Sequence, residues 1–279
     1  MAHLPQVQTL YAIADNVYLE PGLHSSESHR TNAPHDALSL VRLVQTSSLV
    51  AENPSSPQVT KFADYYRICQ WWDLDIEKNH SQLNDRLWEL MCLVDEIFFF
   101  NTITRVVQGP EGPRSLVSLR ITEKDEKKRV AEYDMEDHFI TLWLGGNRKG
   151  PWERYNFEHI LHSLVHELCH AFLENFSDSS HPSHEMFVDI NDGHGIQFWQ
   201  LLKYVLENIL KITGSREWEA ECKKGEVECW NSISNIPPKS SGPSDHPPDS
   251  QGPSDLLDIP GPSAYDPRGP PDFRGPPSF

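Results

Sequence analysis

The strongest hydrophobic periodicity lies in the centre of the chain, from residue 81 to about residue 213. Over residues 82–100, apolar positions recur every three or four residues, which predicts an amphipathic helix with Ser81 as its N-cap. Its apolar stripe consists of Leu83, Leu87, Leu90, Met91, Val94 and Phe98. Just before it, aromatic residues at helical spacing predict a second face packed on the main domain. That face contains Phe62, Tyr65, Tyr66, Cys69 and Trp72.

Three extended segments follow the central helix. Residues 114–121 and 129–134 flank a polar linker suited to a hairpin, and residues 138–144 supply a third strand. These segments predict a small antiparallel sheet. Two further helices are predicted over residues 156–176, capped by Asn156, and over residues 195–213. Helices around a small sheet indicate an α+β fold.

The two ends of the chain lack this periodicity. Residues 1–60 mix Pro, Ser and His with short apolar runs, and we expect a weakly structured N-terminal extension there. From residue 236 onward GPSD and RGPP recur, and because proline removes backbone donors we expect a disordered tail of polyproline character over 236–279. A passive tail is the simpler interpretation, and docking of adaptor domains is the alternative. The folded domain is then expected over 61–215 and a linker over 216–235.

Charge and cysteine content bear on partners and compartment. The formal net charge is −17, and the only compact basic run is 127–129, so direct DNA binding is not expected. Five cysteines are an odd number at irregular spacing, unlike a secreted disulfide framework. Residues 1–20 show no basic start followed by an apolar run, and the sequence contains no 18 uninterrupted apolar residues. We therefore expect a soluble intracellular protein, nuclear or cytoplasmic, that is not secreted and has no membrane partner.

The stretch LVHELCHAF, residues 164–172, places His166 and His170 four residues apart. Residues at this spacing lie on one face of a helix, so the two imidazoles can converge on one ion. Glu167 is rotated by about 100° from His166, which suits a carboxylate that reaches an activated water rather than the metal. The surrounding residues are apolar, and an unpaired polar group among them costs about 1–3 kcal/mol, which favours a metal partner.

A third ligand must come from the loop that follows the motif. The loop offers six candidates: His181, His184, Glu185, Asp189, Asp192 and His194. His159 and His162 continue the histidine stripe, but a catalytic zinc takes three protein ligands plus water, so we expect them at the surface or behind the site. Cys169 points away from the histidine pair and is expected to be a small core residue.

At this loop the sequence resembles a known family. The motif DGHGIQF, residues 192–198, has His194 between two glycines and Phe198 four residues later. It is similar to the second signature of the SprT-like metalloproteases, the group that includes bacterial SprT and eukaryotic Spartan. HELCHAF matches the first signature of that family, and a weaker similarity extends from about residue 83 to residue 210.

The resemblance implies a zincin-like minimal metalloprotease domain. In such a domain His166, His170 and His194 bind Zn²⁺, and Glu167 activates water for peptide hydrolysis. Three neutral imidazoles leave the charge of the ion uncancelled, which lowers the pKa of the bound water. The strand at 138–144 is expected to be an edge strand that pairs with an extended substrate.

Two features depart from the family pattern. The loop between His170 and His194 is longer than in compact members, which leaves Glu185 as an alternative third ligand. Only Cys222 and Cys229 follow the domain in this sequence, so we do not expect the zinc ribbon that many relatives use with DNA. Together with the acid excess, this argues against the Spartan role in repair of DNA–protein crosslinks.

The sequence thus supports two functions of different classes. The first is a zinc metalloprotease, a hydrolase acting on protein substrates that could include DNA-associated proteins. The alternative is an inactive, zinc-stabilised interaction module whose proline-rich tail recruits partners.

Overall fold

The computed structural model describes residues 5–16, 36–109, 111–123, 130–144, 156–178, 181, 184, 188, 193–215, 218, 219, 222, 223 and 227. The tail predicted over 236–279 lies outside the described residues, as do Glu185 and most of the predicted linker 216–235.

Seven helices and five strands make up the described part of the chain, which confirms the α+β class. The helices are α1 Pro5–Asn16, α2 Ala37–Ser47, α3 Leu49–Glu52, α4 Pro57–Cys69, α5 Ile76–Phe98, α6 Phe157–Phe176 and α7 Ile196–Thr213. The strands are β1 Val106–Gly109, β2 Gly112–Ser115, β3 Ser118–Thr122, β4 Ala131–Asp134 and β5 Phe139–Trp143. Among the described residues, none of the helices is long and apolar enough to cross a membrane.

The strand at 138–144, now β5, lies in the middle of a three-stranded sheet. β3 runs parallel to it on one side and β4 antiparallel on the other, while β1 and β2 form a separate antiparallel ribbon. The predicted antiparallel sheet is therefore wrong for the β3–β5 pairing, and the expected hairpin between the β3 and β4 segments does not form. Burial explains the order, because Ile140 to Trp143 are all buried and such a strand is best covered by neighbours on both sides.

Helix α5 carries the predicted apolar stripe, and every residue of that stripe is buried. Its start differs from the prediction, since the helix begins at Ile76 with Asp75 in the N-cap position. A kink at Asn79, with φ −125° and ψ 18°, separates the first turn from the rest, and Ser81 lies inside the helix. The prediction located the long regular segment and missed the turn before the kink.

Within the N-terminal segment 1–60, the described residues 5–16 and 36–60 are more ordered than the sequence predicted. Helices α1 and α2 contribute fully buried side chains to the core, among them Leu10, Leu40 and Val44. Arg105 donates from Nε and Nη2 to the carboxylate of Asp15 at 2.7 and 2.9 Å, which ties α1 to the start of β1. Helices of about 12 residues are stabilised mainly by tertiary packing, so their own sequences carry a weak signal.

The aromatic face predicted on α4 packs into the core as expected, with Phe62, Tyr66 and Cys69 buried. Trp218, which falls in the predicted linker, is only 1% exposed. Its indole Nε1 donates to the hydroxyl of Tyr66 at 3.3 Å. The folded part of the chain therefore extends past residue 215.

Candidate metal centre

Helix α6 carries the HELCH motif and begins where the sequence predicts. The side chain of Asn156 accepts a hydrogen bond from the backbone N–H of His159 at 2.8 Å, which caps the first turn. The helix packs against α7, β4 and β5. Residues such as Leu164 and Leu168 are completely buried, so the rotation of the helix about its axis is fixed by the core.

The third histidine comes from the turn that leads into α7. Gly195 is the N-cap of that helix, and Gly193 has a φ of +82°, in the left-handed region that glycine adopts without strain. The chain therefore reverses sharply around His194. This turn returns the side chain of His194 to the face of α6 that carries His166 and His170.

The three imidazoles converge on one point. The Nε2 atom of His170 lies 3.2 Å from Nε2 of His166 and 3.2 Å from Nε2 of His194, and the remaining pair is 2.9 Å apart. Tetrahedral zinc with bonds of about 2.0–2.1 Å holds its nitrogen ligands about 3.3 Å apart, close to this spacing. Among the described residues, these three side chains form the group that is close enough to hold a metal ion.

The protonation state of His170 suits a ligand. Burial, and secondly the proximity of His194, lower the pKa of His170 to about 3. The ring is therefore neutral at physiological pH and offers a nitrogen lone pair.

Phe198 forms the floor of the centre. It is fully buried, and its ring stacks on His170 with centroids 4.2 Å apart and 23° between planes. The rings of His166 and His194 meet it edge-on, each with a centroid distance of 4.8 Å. One apolar ring thus restricts the orientation of all three imidazoles.

Glu167 lies beside the histidines and outside their cluster. Its side chain is buried, and Oε2 accepts a hydrogen bond from the backbone N–H of Tyr133 in β4 at 2.8 Å. The carboxylate is thus anchored to the sheet through one oxygen. The carboxylate thus contacts β4 whereas His166 and His170 meet His194, as the rotation of about 100° between neighbouring helix positions predicts.

The other candidate residues lie elsewhere or outside the described residues. His184 is buried, with Nδ1 3.1 Å from Oγ of Ser177, and His181 is exposed. Glu185, Asp189 and Asp192 are not among the described residues.

The residues expected behind the site also fall where the sequence placed them. His159 is exposed, and the ring centroid of His162 is 6.3 Å from that of His166. Cys169 is fully buried, and burial raises the pKa of its thiol well above the usual value, as expected of a core residue.

Sequence reasoning missed Tyr133. Its backbone N–H contacts Glu167, which lies 34 residues later in the chain. No side-chain motif indicates such a contact.

Comparisons of the chain with protein-family models, with curated proteins and with solved structures find no match. The chemistry of the site must therefore be inferred from its geometry.

Proposed function

We propose that the chain is a zinc-dependent metallopeptidase of the SprT-like type, with a zincin-like catalytic domain. The observation that carries the proposal is the meeting of three Nε2 atoms, from His166, His170 and His194, with the anchored carboxylate of Glu167 on the same helix, directly after His166. Imidazole donors in a compact three-nitrogen set favour zinc over the hard cations that prefer oxygen ligands. Three protein ligands also leave a position for water, which is typical of catalytic rather than structural zinc sites.

Zinc held by the three histidines would supply a Lewis acid that lowers the pKa of a bound water and polarises the scissile carbonyl. Glu167 is assigned the proton transfers. It takes a proton from the attacking water and delivers it to the nitrogen of the leaving amine. The hydrogen bond from Tyr133 to Oε2 holds the carboxylate in a defined orientation for these transfers.

The substrate is proposed to pair with β4. The expectation that strand 138–144 is an edge strand is wrong, because β5 lies between β3 and β4. Trp143 N–H donates to the carbonyl of Val130 at 2.9 Å, and hydrogen-bonded pairs alternate along an antiparallel ladder. The peptide groups of Ala131 and Tyr133 therefore point away from β5, toward the side where Glu167 lies. Because Tyr133 N–H is bonded to Glu167, an extended peptide is proposed to pair with the edge at Ala131, next to that anchor.

Protein chains are the proposed substrates, with DNA-associated proteins among them. A net charge of −17 opposes direct contact with DNA phosphates but favours encounter with cationic proteins.

The decisive experiment replaces the carboxylate without removing the ligands. Glu167→Gln should keep the zinc content of the purified full-length protein and lower hydrolysis of a denatured, labelled protein at least 100-fold. Glu207→Gln is the matched control, because Glu207 lies about 20 Å along α7 from the level of His194. A wild type that holds zinc and cleaves nothing would instead support the zinc-stabilised interaction module.

A further inference from the structure

Tyr133 contacts helix α6 at two places. Its backbone N–H donates to Oε2 of Glu167 at 2.8 Å, and its hydroxyl accepts a hydrogen bond from Nδ2 of Asn175 at 2.7 Å. Glu167 and Asn175 are eight residues apart, which corresponds to about 12 Å along the helix axis. Because Tyr133 contacts α6 at two points this far apart, it can neither shift along the helix nor rotate relative to it.

The direction of the contact at Asn175 follows from chemistry. Nδ2 also lies 2.7 Å from the carbonyl oxygen of Ala171, and a carbonyl can only accept, so this atom is the amide nitrogen that donates to both partners. The phenol oxygen of Tyr133 therefore accepts from Asn175.

A second partner of this hydroxyl is His138, in the turn between β4 and β5. The Tyr133 hydroxyl lies 3.1 Å from Nδ1 of His138, which is only 7% exposed. His138 has a φ of +54°, a conformation that costs an L-residue about 1–2 kcal/mol and that persists only where surrounding contacts hold it. Its carbonyl accepts from Ser118 N–H at 2.9 Å, which ties the turn to β3.

We propose that Tyr133 is a positioning residue for Glu167, which it orients through its own backbone N–H. The hydroxyl contacts with Asn175 and His138 fix the position of β4 relative to α6. They thereby fix the position of the Tyr133 N–H, which holds the carboxylate of Glu167. The inference rests on the proposed function insofar as it concerns turnover. The structural part of the inference, that the Tyr133 hydroxyl determines the stability of the hydrogen bond from the Tyr133 amide to Glu167, is independent of that function.

The test combines turnover with amide hydrogen exchange, measured residue by residue by NMR on the zinc-loaded full-length protein. Tyr133→Phe should raise the exchange rate of the amide at position 133 at least 10-fold and lower turnover by a similar factor, with zinc content unchanged. Tyr65→Phe is the control, since it also removes a hydrogen-bonded phenol hydroxyl, one that donates to the carbonyl of Arg86 at 3.3 Å on another part of the domain. The control should leave both readouts at the wild-type level.

Asn175→Ala should raise amide exchange at position 133 and lower turnover as Tyr133→Phe does. The double variant should show no larger effect than either single change, because both changes remove the same hydrogen bond between Asn175 and Tyr133. Wild-type exchange at position 133 in Tyr133→Phe would overturn the proposal, whatever happens to turnover. A wild type that binds zinc and cleaves no protein would refute the proposed function alone. A 10-fold rise in exchange at position 133 in Tyr133→Phe would still support the positioning role of the Tyr133 hydroxyl.

Discussion

Gly193 lies directly against the imidazole of His170. A Cβ atom built on Gly193 would approach Cε1 of His170 to 3.1 Å and Nδ1 to 3.3 Å, closer than an ordinary van der Waals contact. Gly193 also has a φ of +82°, which other residues adopt only with strain. A larger residue at position 193 is therefore disfavoured for two separate reasons: the backbone conformation would be strained, and a side chain would crowd His170 in the metal centre.

Gly193→Ala should weaken zinc binding at least 10-fold, because the added methyl group displaces either His170 or the turn that carries His194. Competition with a chromophoric chelator measures this affinity. Gly214→Ala is a close control, since Gly214 also has a positive φ of +66° but has no atom within 4 Å of a built Cβ. Both variants should lose about 1 kcal/mol of stability from backbone strain. Equal zinc affinities for the two would show that the contact with His170 is unimportant.

The identity of the third ligand is tested by single substitutions. His194→Ala should reduce zinc occupancy to less than one tenth of the wild-type value after dialysis, since two imidazoles from one helical turn do not complete a zinc site. Glu185→Ala should keep full occupancy, as should His162→Ala, which changes a histidine close to the centre. Metal analysis of the purified variants provides the measurement. Loss of zinc in the Glu185 variant alone would transfer the ligand role to that carboxylate.

The local parts of this site could be predicted from the sequence. The spacing of His166 and His170 determines their common face in any α-helix, and the buried residues around them identify the helix. His194 is different, because spacing alone left six candidates and the choice depended on its flanking glycines and on a family resemblance. Tyr133 could not be predicted, since its relevant group is a backbone N–H whose direction depends on strand pairing.

Strand order marks the limit of local reasoning in this fold. A polar linker between two extended segments favours a hairpin, yet β3 and β4 both pair with β5. The central position goes to the strand that buries most apolar surface when it has a neighbour on each side. This burial depends on the assembled core and not on the local sequence. The helices α1 and α2 show the same limit, because Leu10 and Leu40 become buried only against distant elements.

Phe198 should influence metal affinity beyond its effect on stability. Phe198→Leu removes the ring that contacts all three imidazoles, so we expect zinc affinity to fall about 10-fold while the free energy of unfolding falls by about 1–3 kcal/mol. Phe62→Leu, at an equally buried position in α4, should cost similar stability without changing zinc affinity. Chelator competition and urea unfolding give the two quantities. A common loss of affinity in both variants would mean that general destabilisation, not the aromatic floor, is responsible.

Asp95 should make the stability of the protein depend on pH. The carboxylate is completely buried at the end of α5, where it accepts hydrogen bonds from the N–H and hydroxyl of Thr104, both at 2.7 Å, and from Ile103 N–H at 3.3 Å. Burial raises the pKa of Asp95 to about 7, and these hydrogen bonds offset the effect only in part.

Between the unfolded pKa of 3.8 and the folded pKa of about 7, the folded state binds more protons than the unfolded chain. The contribution of Asp95 to the free energy of unfolding is therefore fully present below about pH 4 and is lost as the pH rises to about 7, by up to about 4 kcal/mol. Asp95→Asn cannot titrate, so the difference in unfolding free energy between wild type and variant should shrink from pH 5 to pH 7.5. Urea unfolding followed by circular dichroism at both pH values measures that difference. Groups other than Asp95 contribute equally to both proteins, so a pH-independent difference would show that Asp95 stays ionised in the core.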